Sequence, residues 1–139
     1  MRVLFIAGFA PIVRDPGAAR ALYADALGIE FEKAVGDYAY TEKMPGAKHF
    51  GVWPLAEAAE ICFGKDDWPA DVPVPQATIE FEVDDVAGAA RELQARGYAL
   101  VHPARTEPWK QTVARLLTPD GLLIGVCHTP WLHDGPGPS

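Results

Sequence analysis

The sequence predicts an α+β fold made of two copies of one unit, each a strand, a helix and three further strands. The main observation is a repeated pattern: Phe9–Asp15 and an Ala-rich stretch that stops at Gly28 recur as Ile79–Asp85 and an Ala-rich stretch that stops at Gly97. A repeat of this length usually means that two copies of one supersecondary unit pack against each other. The chain has 139 residues, of which 49% are hydrophobic, so it is long enough to bury the core of one such domain.

The first copy is predicted to occupy residues 3–63. Its apolar start, residues 3–10, is too short for a convincing signal peptide and leads straight into Asp15-Pro16, so it is interpreted as a strand. Asp15 can cap free N–H groups and Pro16 suits a first helical turn, which predicts a helix that ends at Gly28. Strands are then predicted at 29–34, 38–42 and 48–53, a helical turn at 54–59 and a last short strand at 60–63.

The second copy is predicted to repeat this order after a linker at 64–77 that is rich in proline and aspartate. Its elements are a strand at 78–83, a helix at 86–96 capped by Asp85, and strands at 98–102, 112–117 and 122–127. Residues from Pro130 onward are expected to form a frayed tail. The chain, 1–139, is thus interpreted as a single domain with module one at 3–63, module two at 78–128 and a tail at 129–139.

Composition narrows the functional classes. A formal net charge of −7 argues against a nucleic-acid partner and against an anionic membrane surface, and it weakly favours a cationic ligand. No stretch approaches the length of a transmembrane helix. Cys62 and Cys127 form no CxxC motif and accompany no secretory signal, so we expect buried, inert free thiols and a cytoplasmic location.

The repeated pattern, together with the turn Thr118-Pro119-Asp120-Gly121 and the strand start Leu122-Leu123-Ile124, resembles the vicinal oxygen chelate superfamily. This superfamily includes glyoxalase I, extradiol dioxygenases and bleomycin-resistance proteins, and the resemblance covers roughly residues 3–128. It implies two βαβββ modules forming an eight-stranded cup-shaped mixed sheet, commonly in a homodimer.

The resemblance also implies where a metal would be held. Enzymes of this family bind a divalent ion through His and Glu side chains from the first and last strands of each module, which are suitable ligands for such ions. Three of the four positions carried over by this pattern have no ligating side chain, and the fourth falls on Glu60 if Cys62 and Cys127 are equivalent. We therefore expect no resident metal or other cofactor, and assign no catalytic residue. The three positions without a ligand are Gly8, Thr78 and Gly125.

Two carboxylates and one histidine are candidates for ligand binding. Glu80 and Glu82 alternate onto the strand face that should look into the cup, where they would attract a cation, face water or pair with Arg115. An unpaired buried carboxylate costs several kcal/mol, which is why these two stand out. His49 could contact a ligand, bind a metal outside the family positions, or simply hydrogen-bond at a sheet edge.

The four tryptophans could line an apolar pocket, because flat ligands stack on indole rings, although core or dimer packing explains them equally well. Trp109 is the strongest candidate, since the corresponding loop of the family borders the cavity, and Trp68 is the second. The predicted ligand-binding set is Glu80, Glu82, His49, Trp53, Glu60, Trp109 and Trp68.

These observations favour a metal-independent, bleomycin-resistance-like protein that holds a small cationic or aromatic ligand in an acidic, aromatic-lined cup, as in antibiotic sequestration. One alternative is a metal-dependent lyase, isomerase or dioxygenase with an atypical site such as His49 with Glu60 and Glu80. Another is a non-catalytic interaction module whose cup is filled by its own side chains.

Overall fold

The computed structural model of the chain describes residues 1–133, with the backbone alone at residues 33–35. In this part of the chain eight strands form one mixed sheet, accompanied by four helices. The strands are β1 (Val3–Val13), β2 (Lys33–Val35), β3 (Tyr38–Thr41), β4 (Phe50–Pro54), β5 (Ala77–Val83), β6 (Leu100–Thr106), β7 (Thr112–Leu117) and β8 (Leu122–His128). The helices are α1 (Pro16–Arg20), which continues as a π-helical segment over Ala21–Ala26, α2 (Leu55–Phe63), α3 (Val86–Ala95) and α4 (Pro130–His133).

The strand order is β2-β3-β4-β1-β5-β8-β7-β6, which divides the sheet into two equivalent halves. In each half the first strand pairs in parallel with the last, β1 with β4 and β5 with β8. The halves are joined by antiparallel pairing of β1 with β5. The predicted α+β fold of two βαβββ modules in one eight-stranded mixed sheet is confirmed. No helix among residues 1–133 is long and apolar enough to cross a membrane.

The first helix of each module, α1 and α3, begins where the repeated aspartates predicted. The carboxylate of Asp15 accepts the N–H of Ala18 at 3.1 Å, and that of Asp85 accepts the N–H of Gly88 at 3.0 Å. Each bond satisfies one of the free N–H groups of a first helical turn. The helix of the second module covers one face of the sheet. It forms a core cluster of Val83, Val86, Ala89, Ala90, Ala114 and Val126.

The strand predicted at residues 60–63 is wrong. These residues complete helix α2, which runs without interruption from Leu55 to Phe63 and ends at Gly64 in the left-handed conformation, with φ of 76°. Its buried residues, Leu55, Ala58, Ala59 and Cys62, recur at helical spacing and pack against the sheet. Four residues are too few to separate this period from strand alternation.

Other boundaries also differ from the prediction, and β6 covers Leu100–Thr106 rather than 98–102. Strand β2 covers only Lys33–Val35 rather than 29–34, because Ile29 still donates its N–H to the carbonyl of Tyr23 at the end of the preceding helix. Residues 130–133 form helix α4 rather than a frayed tail, and the Trp131 Nε1 of this helix donates to a carboxylate oxygen of Glu42 at 2.9 Å. The rest of the predicted tail, 134–139, lies outside the described residues.

Candidate functional site

A cavity of about 750 Å³ receives side chains from both modules. Its wall combines aromatic rings with carboxylates, and Arg115 is the arginine that reaches it. The carboxylates exceed the cations in number, so the cavity favours positive charge. The aromatic residues in the wall are Phe9, Tyr38, Tyr40, Trp53, Trp109 and Trp131, and the acidic residues are Glu42, Glu57, Glu60 and Glu80.

Glu80 stands in this cavity between two glycines. It lies opposite Gly8 in the β1–β5 pairing and opposite Gly125 in the β5–β8 pairing. A Cβ atom on Gly125 would lie 3.1 Å from the Cγ of Glu80, closer than an ordinary carbon contact. The glycine at 125 therefore provides the space that the Glu80 side chain occupies.

A short chain of hydrogen bonds orients the Glu80 carboxylate. Gln111 Nε2 donates to Glu80 Oε1 at 3.0 Å and also to the hydroxyl of Thr129 at 3.0 Å. Trp109 Nε1 donates to Gln111 Oε1 at 2.9 Å, which fixes the amide orientation. The side chain of Glu80 remains 19% exposed, so this carboxylate is oriented by the protein and still open to a ligand.

Arg115 is almost fully buried in the cavity wall, and its charge lies closer to Glu107 than to Glu80. Its Nη1 lies 3.3 Å from Glu107 Oε2 and 3.0 Å from His102 Nε2, whereas its Nη2 is 4.0 Å from Glu80 Oε2. Because Nε2 accepts from the guanidinium, His102 carries its proton on Nδ1 and donates to the carbonyl of Pro103 at 2.7 Å. Burial lowers the pKa of His102, which agrees with a neutral ring.

His49, another residue of the cavity wall, is held between a phenol and a carboxylate. The hydroxyl of Tyr38 lies 2.5 Å from His49 Nε2, and His49 Nδ1 lies 2.8 Å from Glu42 Oε2. Burial raises the pKa of Tyr38 far above its usual value, so the phenol stays protonated and donates to Nε2. With Nε2 accepting from the phenol, Nδ1 carries a proton and donates to Glu42, and Tyr40 stacks on the ring with centroids 5.0 Å apart.

Five of the seven predicted ligand-binding residues line the cavity, although their contact with a ligand stays a prediction. They are Glu80, His49, Trp53, Glu60 and Trp109.

The other two predicted residues, Glu82 and Trp68, lie outside the cavity wall. Glu82 is 0% exposed and its Oε2 accepts the N–H of Thr129 at 2.6 Å, because the chain after β8 folds over this end of β5. Trp68 packs edge-on against Phe63 with centroids 4.9 Å apart, and its Nε1 donates to the carbonyl of Val72. The apolar core and its own loop thus satisfy this indole.

Several polar residues of the site were missed as candidates, among them Tyr38, Glu42 and Gln111. A signal for Tyr38 was present in the sequence, because Gly51 in the neighbouring strand leaves room for a large side chain. A Cβ atom on Gly51 would lie 2.7 Å from Tyr38 Cζ. Glu42 and Gln111 lie just beyond strand ends, where alternation indicates no direction for a side chain.

The sheet register corrects the fourth family metal position. Phe9 pairs with Phe50 in module one as Ile79 pairs with Ile124 in module two, so Gly125 corresponds to the residue after Phe50 and not to Glu60. The assumed equivalence of the two cysteines fails, because one lies in α2 and the other in β8. The four positions are Gly8, Gly51, Thr78 and Gly125.

The residues at these four positions do not fit a metal. The three glycines have no donor atom, and the hydroxyl of Thr78 donates to the carbonyl of Leu123 at 2.8 Å. The atypical set of His49, Glu60 and Glu80 is not brought together either. Among residues 1–133, the group whose ligand atoms all lie within 4.8 Å of one another is at a different place, on Glu82 and two histidines.

The paired modules and their shared cavity define a protein of the vicinal oxygen chelate type. A family model described as "Glyoxalase/Bleomycin resistance protein/Dioxygenase superfamily" matches residues 6–126, and the chain belongs to this superfamily. No curated protein sequence matches the chain.

Solved structures share the fold at low sequence identity. A glyoxalase/bleomycin resistance protein/dioxygenase superfamily member from Vibrio splendidus is 15% identical with a TM-score of 0.59, covering 90% of this chain and 100% of that one. Methylmalonyl-CoA epimerase from Mycobacterium tuberculosis is 22% identical with a TM-score of 0.59, covering 96% and 93%. A Streptomyces coelicolor methylmalonyl-CoA epimerase variant, in complex with 2-nitronate-propionyl-CoA, is 14% identical with a TM-score of 0.59, covering 93% and 96%.

Proposed function

We propose that the protein binds a small cationic aromatic molecule in this cavity, without chemical change and without a metal ion at the family positions. The observation that carries the proposal is the composition of the cavity wall, which contains six aromatic side chains, four carboxylates and one arginine. The nearest functional model within the superfamily is sequestration of the bleomycin-resistance kind.

The dimensions of the cavity support a ligand rather than a filled interior. A volume of about 750 Å³ falls within the range typical of small-molecule sites, and it argues against an interaction module filled by its own side chains. Aromatic walls bind flat rings by stacking and attract cations to their faces. Glu80 would then supply the charged contact, because Gln111 already holds its carboxylate in place.

A charge series on one ring system tests this proposal. The probes are naphthylmethylammonium, naphthalenemethanol and naphthoate, each titrated into the protein by isothermal calorimetry with tryptophan fluorescence as a second readout. The cation is expected to bind most tightly, the neutral alcohol more weakly and the anion weakest. Equal affinities for all three, or absence of binding by all three, would contradict the proposal.

A second candidate function is proton transfer, which the linked side chains of Tyr38, His49 and Glu42 favour. A histidine oriented by a carboxylate is a common general base, and His49 would serve as one once the Tyr38 hydroxyl turns away from its Nε2. The fold is shared with a methylmalonyl-CoA epimerase, which suggests a thioester substrate whose α-proton is removed. The acidic wall is unfavourable for an anionic CoA ester, so this candidate ranks second.

Deuterium exchange separates the two candidates. Methylmalonyl-CoA is incubated with the protein in D2O, and loss of the α-proton is followed by NMR. Enzyme-dependent exchange that disappears in His49→Gln would support catalysis, whereas an unchanged proton signal would leave binding as the function. Homodimer assembly and a cytoplasmic location remain predictions.

A further inference from the structure

A second group of potential ligands lies outside the cavity wall, where β5, β8 and α4 meet. Its members are Glu82, His128 and His133. His133 Nε2 lies 2.6 Å from Glu82 Oε2, and His128 Nδ1 lies 3.7 Å from the same oxygen. The rings of the two histidines are tilted against each other with centroids 5.0 Å apart. One carboxylate and two imidazoles thus converge on one point.

The carboxylate at this point is buried without a permanent cation. Glu82 is 0% exposed, and its salt-bridge partners within residues 1–133 are His128 and His133 rather than a lysine or arginine. The N–H of Thr129 and the thiol of Cys127 also face the carboxylate, each as a neutral donor. A fully buried carboxylate is costly unless a charge lies against it, and a metal ion would supply that charge.

We propose that Glu82, His128 and His133 bind a divalent transition-metal ion. Two imidazoles and one carboxylate are ligands preferred by Zn²⁺, Co²⁺ and Ni²⁺, whereas Mg²⁺ and Ca²⁺ prefer sites made entirely of oxygen. None of these three residues occupies a family position, since those are residues 8, 51, 78 and 125.

The geometry requires only small side-chain movements. Ligand atoms at about 2.0–2.1 Å from a tetrahedral zinc ion lie about 3.4 Å apart. The Glu82–His128 separation of 3.7 Å is close to this value, and the shorter Glu82–His133 contact would lengthen as the ion takes the place of the direct hydrogen bond. The His128 and His133 side chains are 50% and 34% exposed, so their rings have room to turn and solvent can complete the coordination.

Metal binding at this point would reinforce one wall of the cavity. His133 belongs to α4, and the preceding residues of that helix, Trp131 and Leu132, line the cavity. Thr129 connects the two places, because its N–H donates to Glu82 and its hydroxyl accepts from Gln111. An ion that ties His133 to the sheet would therefore hold α4 in its place at the cavity.

The test uses protein without a histidine tag, first stripped with a chelator. Co²⁺ is added while the visible absorption of tetrahedral cobalt is recorded, and Zn²⁺ is then titrated by calorimetry. We expect one equivalent of either ion to bind, with a higher melting temperature in its presence. Absence of cobalt absorption together with absence of zinc heat would overturn the proposal.

Histidine variants test which residues bind the ion. His128→Asn is the main variant, because this half-exposed ring can be replaced without opening the core, and His133→Asn is the second. Removing a residue that only hydrogen-bonds to a metal ligand lowers metal affinity by about 10–100-fold. Removing a ligand itself should therefore lower the affinity of each variant for the metal by at least about tenfold. The matched control is His49→Asn, another histidine beside a glutamate, which should bind as the unmodified protein does. The assignment would be overturned if both His128→Asn and His133→Asn retained metal binding, or if the control lost it equally.

Discussion

Replacing Glu80 by glutamine tests whether this carboxylate provides the charged contact of the cavity. Glutamine keeps the size of the side chain and can still accept the hydrogen bond that Gln111 Nε2 donates at 3.0 Å. It removes one negative charge from the centre of the wall. We therefore expect Glu80→Gln to weaken binding of a cationic ligand and to leave a neutral ligand of the same shape almost unaffected.

The size of the effect follows from the surroundings of Glu80. A cation about 4 Å from the carboxylate gains on the order of 4 kcal/mol at an effective dielectric constant of about 20, before the loss of hydration is counted. Arg115 Nη2, 4.0 Å from the carboxylate, competes for part of this attraction. Net values for hydrogen bonds to charged groups are about 1.5–3 kcal/mol, which corresponds to a loss of about tenfold to a hundredfold in affinity.

The assay compares naphthylmethylammonium with naphthalenemethanol by isothermal calorimetry, for the unmodified protein and for Glu80→Gln. Glu30→Gln is the matched control, because it removes the same charge from an exposed residue outside the cavity wall. The reasoning would be refuted if Glu80→Gln weakened both probes equally, since the residue would then act on the shape of the cavity. It would also be refuted if Glu30→Gln reproduced the loss, since net charge alone would then explain it.

Three further predictions concern the residues that support the cavity. Gly51→Ala should lower the free energy of unfolding in urea by about 1–3 kcal/mol, because the new Cβ would lie 2.7 Å from Tyr38 Cζ. The control is Gly8→Ala, whose Cβ would meet no atom closer than 3.5 Å and which should change this free energy little. Burial lowers the pKa of His102, so its contribution to the free energy of unfolding is complete above the usual pKa of about 6.5 and is lost as the pH falls below that value. The His102→Gln variant should therefore lose less stability on acidification than the unmodified protein. An equal loss of stability with falling pH in both proteins would contradict the assignment. Arg115→Met removes one of the two arginine partners of the buried Glu107, whose Oε1 still accepts from Arg105 Nε at 2.8 Å. It should lower the free energy of unfolding by about 1.5–3 kcal/mol, so an unchanged free energy would be inconsistent with this ion pair.

The fold was predictable because its signals are local and occur twice. Asp15 and Asp85 mark the helix starts through a single side-chain bond each, and the glycines at 28 and 97 adopt the left-handed conformation with φ of 72° and 94°. The error at residues 60–63 arose where local signals compete. An apolar segment that ends an Ala-rich stretch suits either a strand or a helix, and packing of Cys62 against the sheet decided for the helix.

The site was predictable only where strand alternation reaches it. Glu80 lies within a regular strand, and alternation correctly directed it into the cavity. The same alternation could not show that Glu82 is covered, because its surroundings are determined by the chain segment after β8, which was expected to be frayed. Glu42 and Gln111 lie beyond strand ends, so only tertiary contacts reveal that they orient His49 and Glu80.

The absence of family ligands and the presence of a polar cavity have one structural cause. Next to each of the three glycines at these positions lies a side chain from a neighbouring strand or loop: His49 beside Gly8, Tyr38 beside Gly51 and Glu80 beside Gly125. A Cβ at 51 would lie 2.7 Å from Tyr38 Cζ, and one at 125 would lie 3.1 Å from Glu80 Cγ, so either change requires the neighbouring side chain to move. Restoring a ligand at 51 or 125 would therefore disturb the cavity wall before it rebuilt a metal centre, whereas position 8 has room for a Cβ.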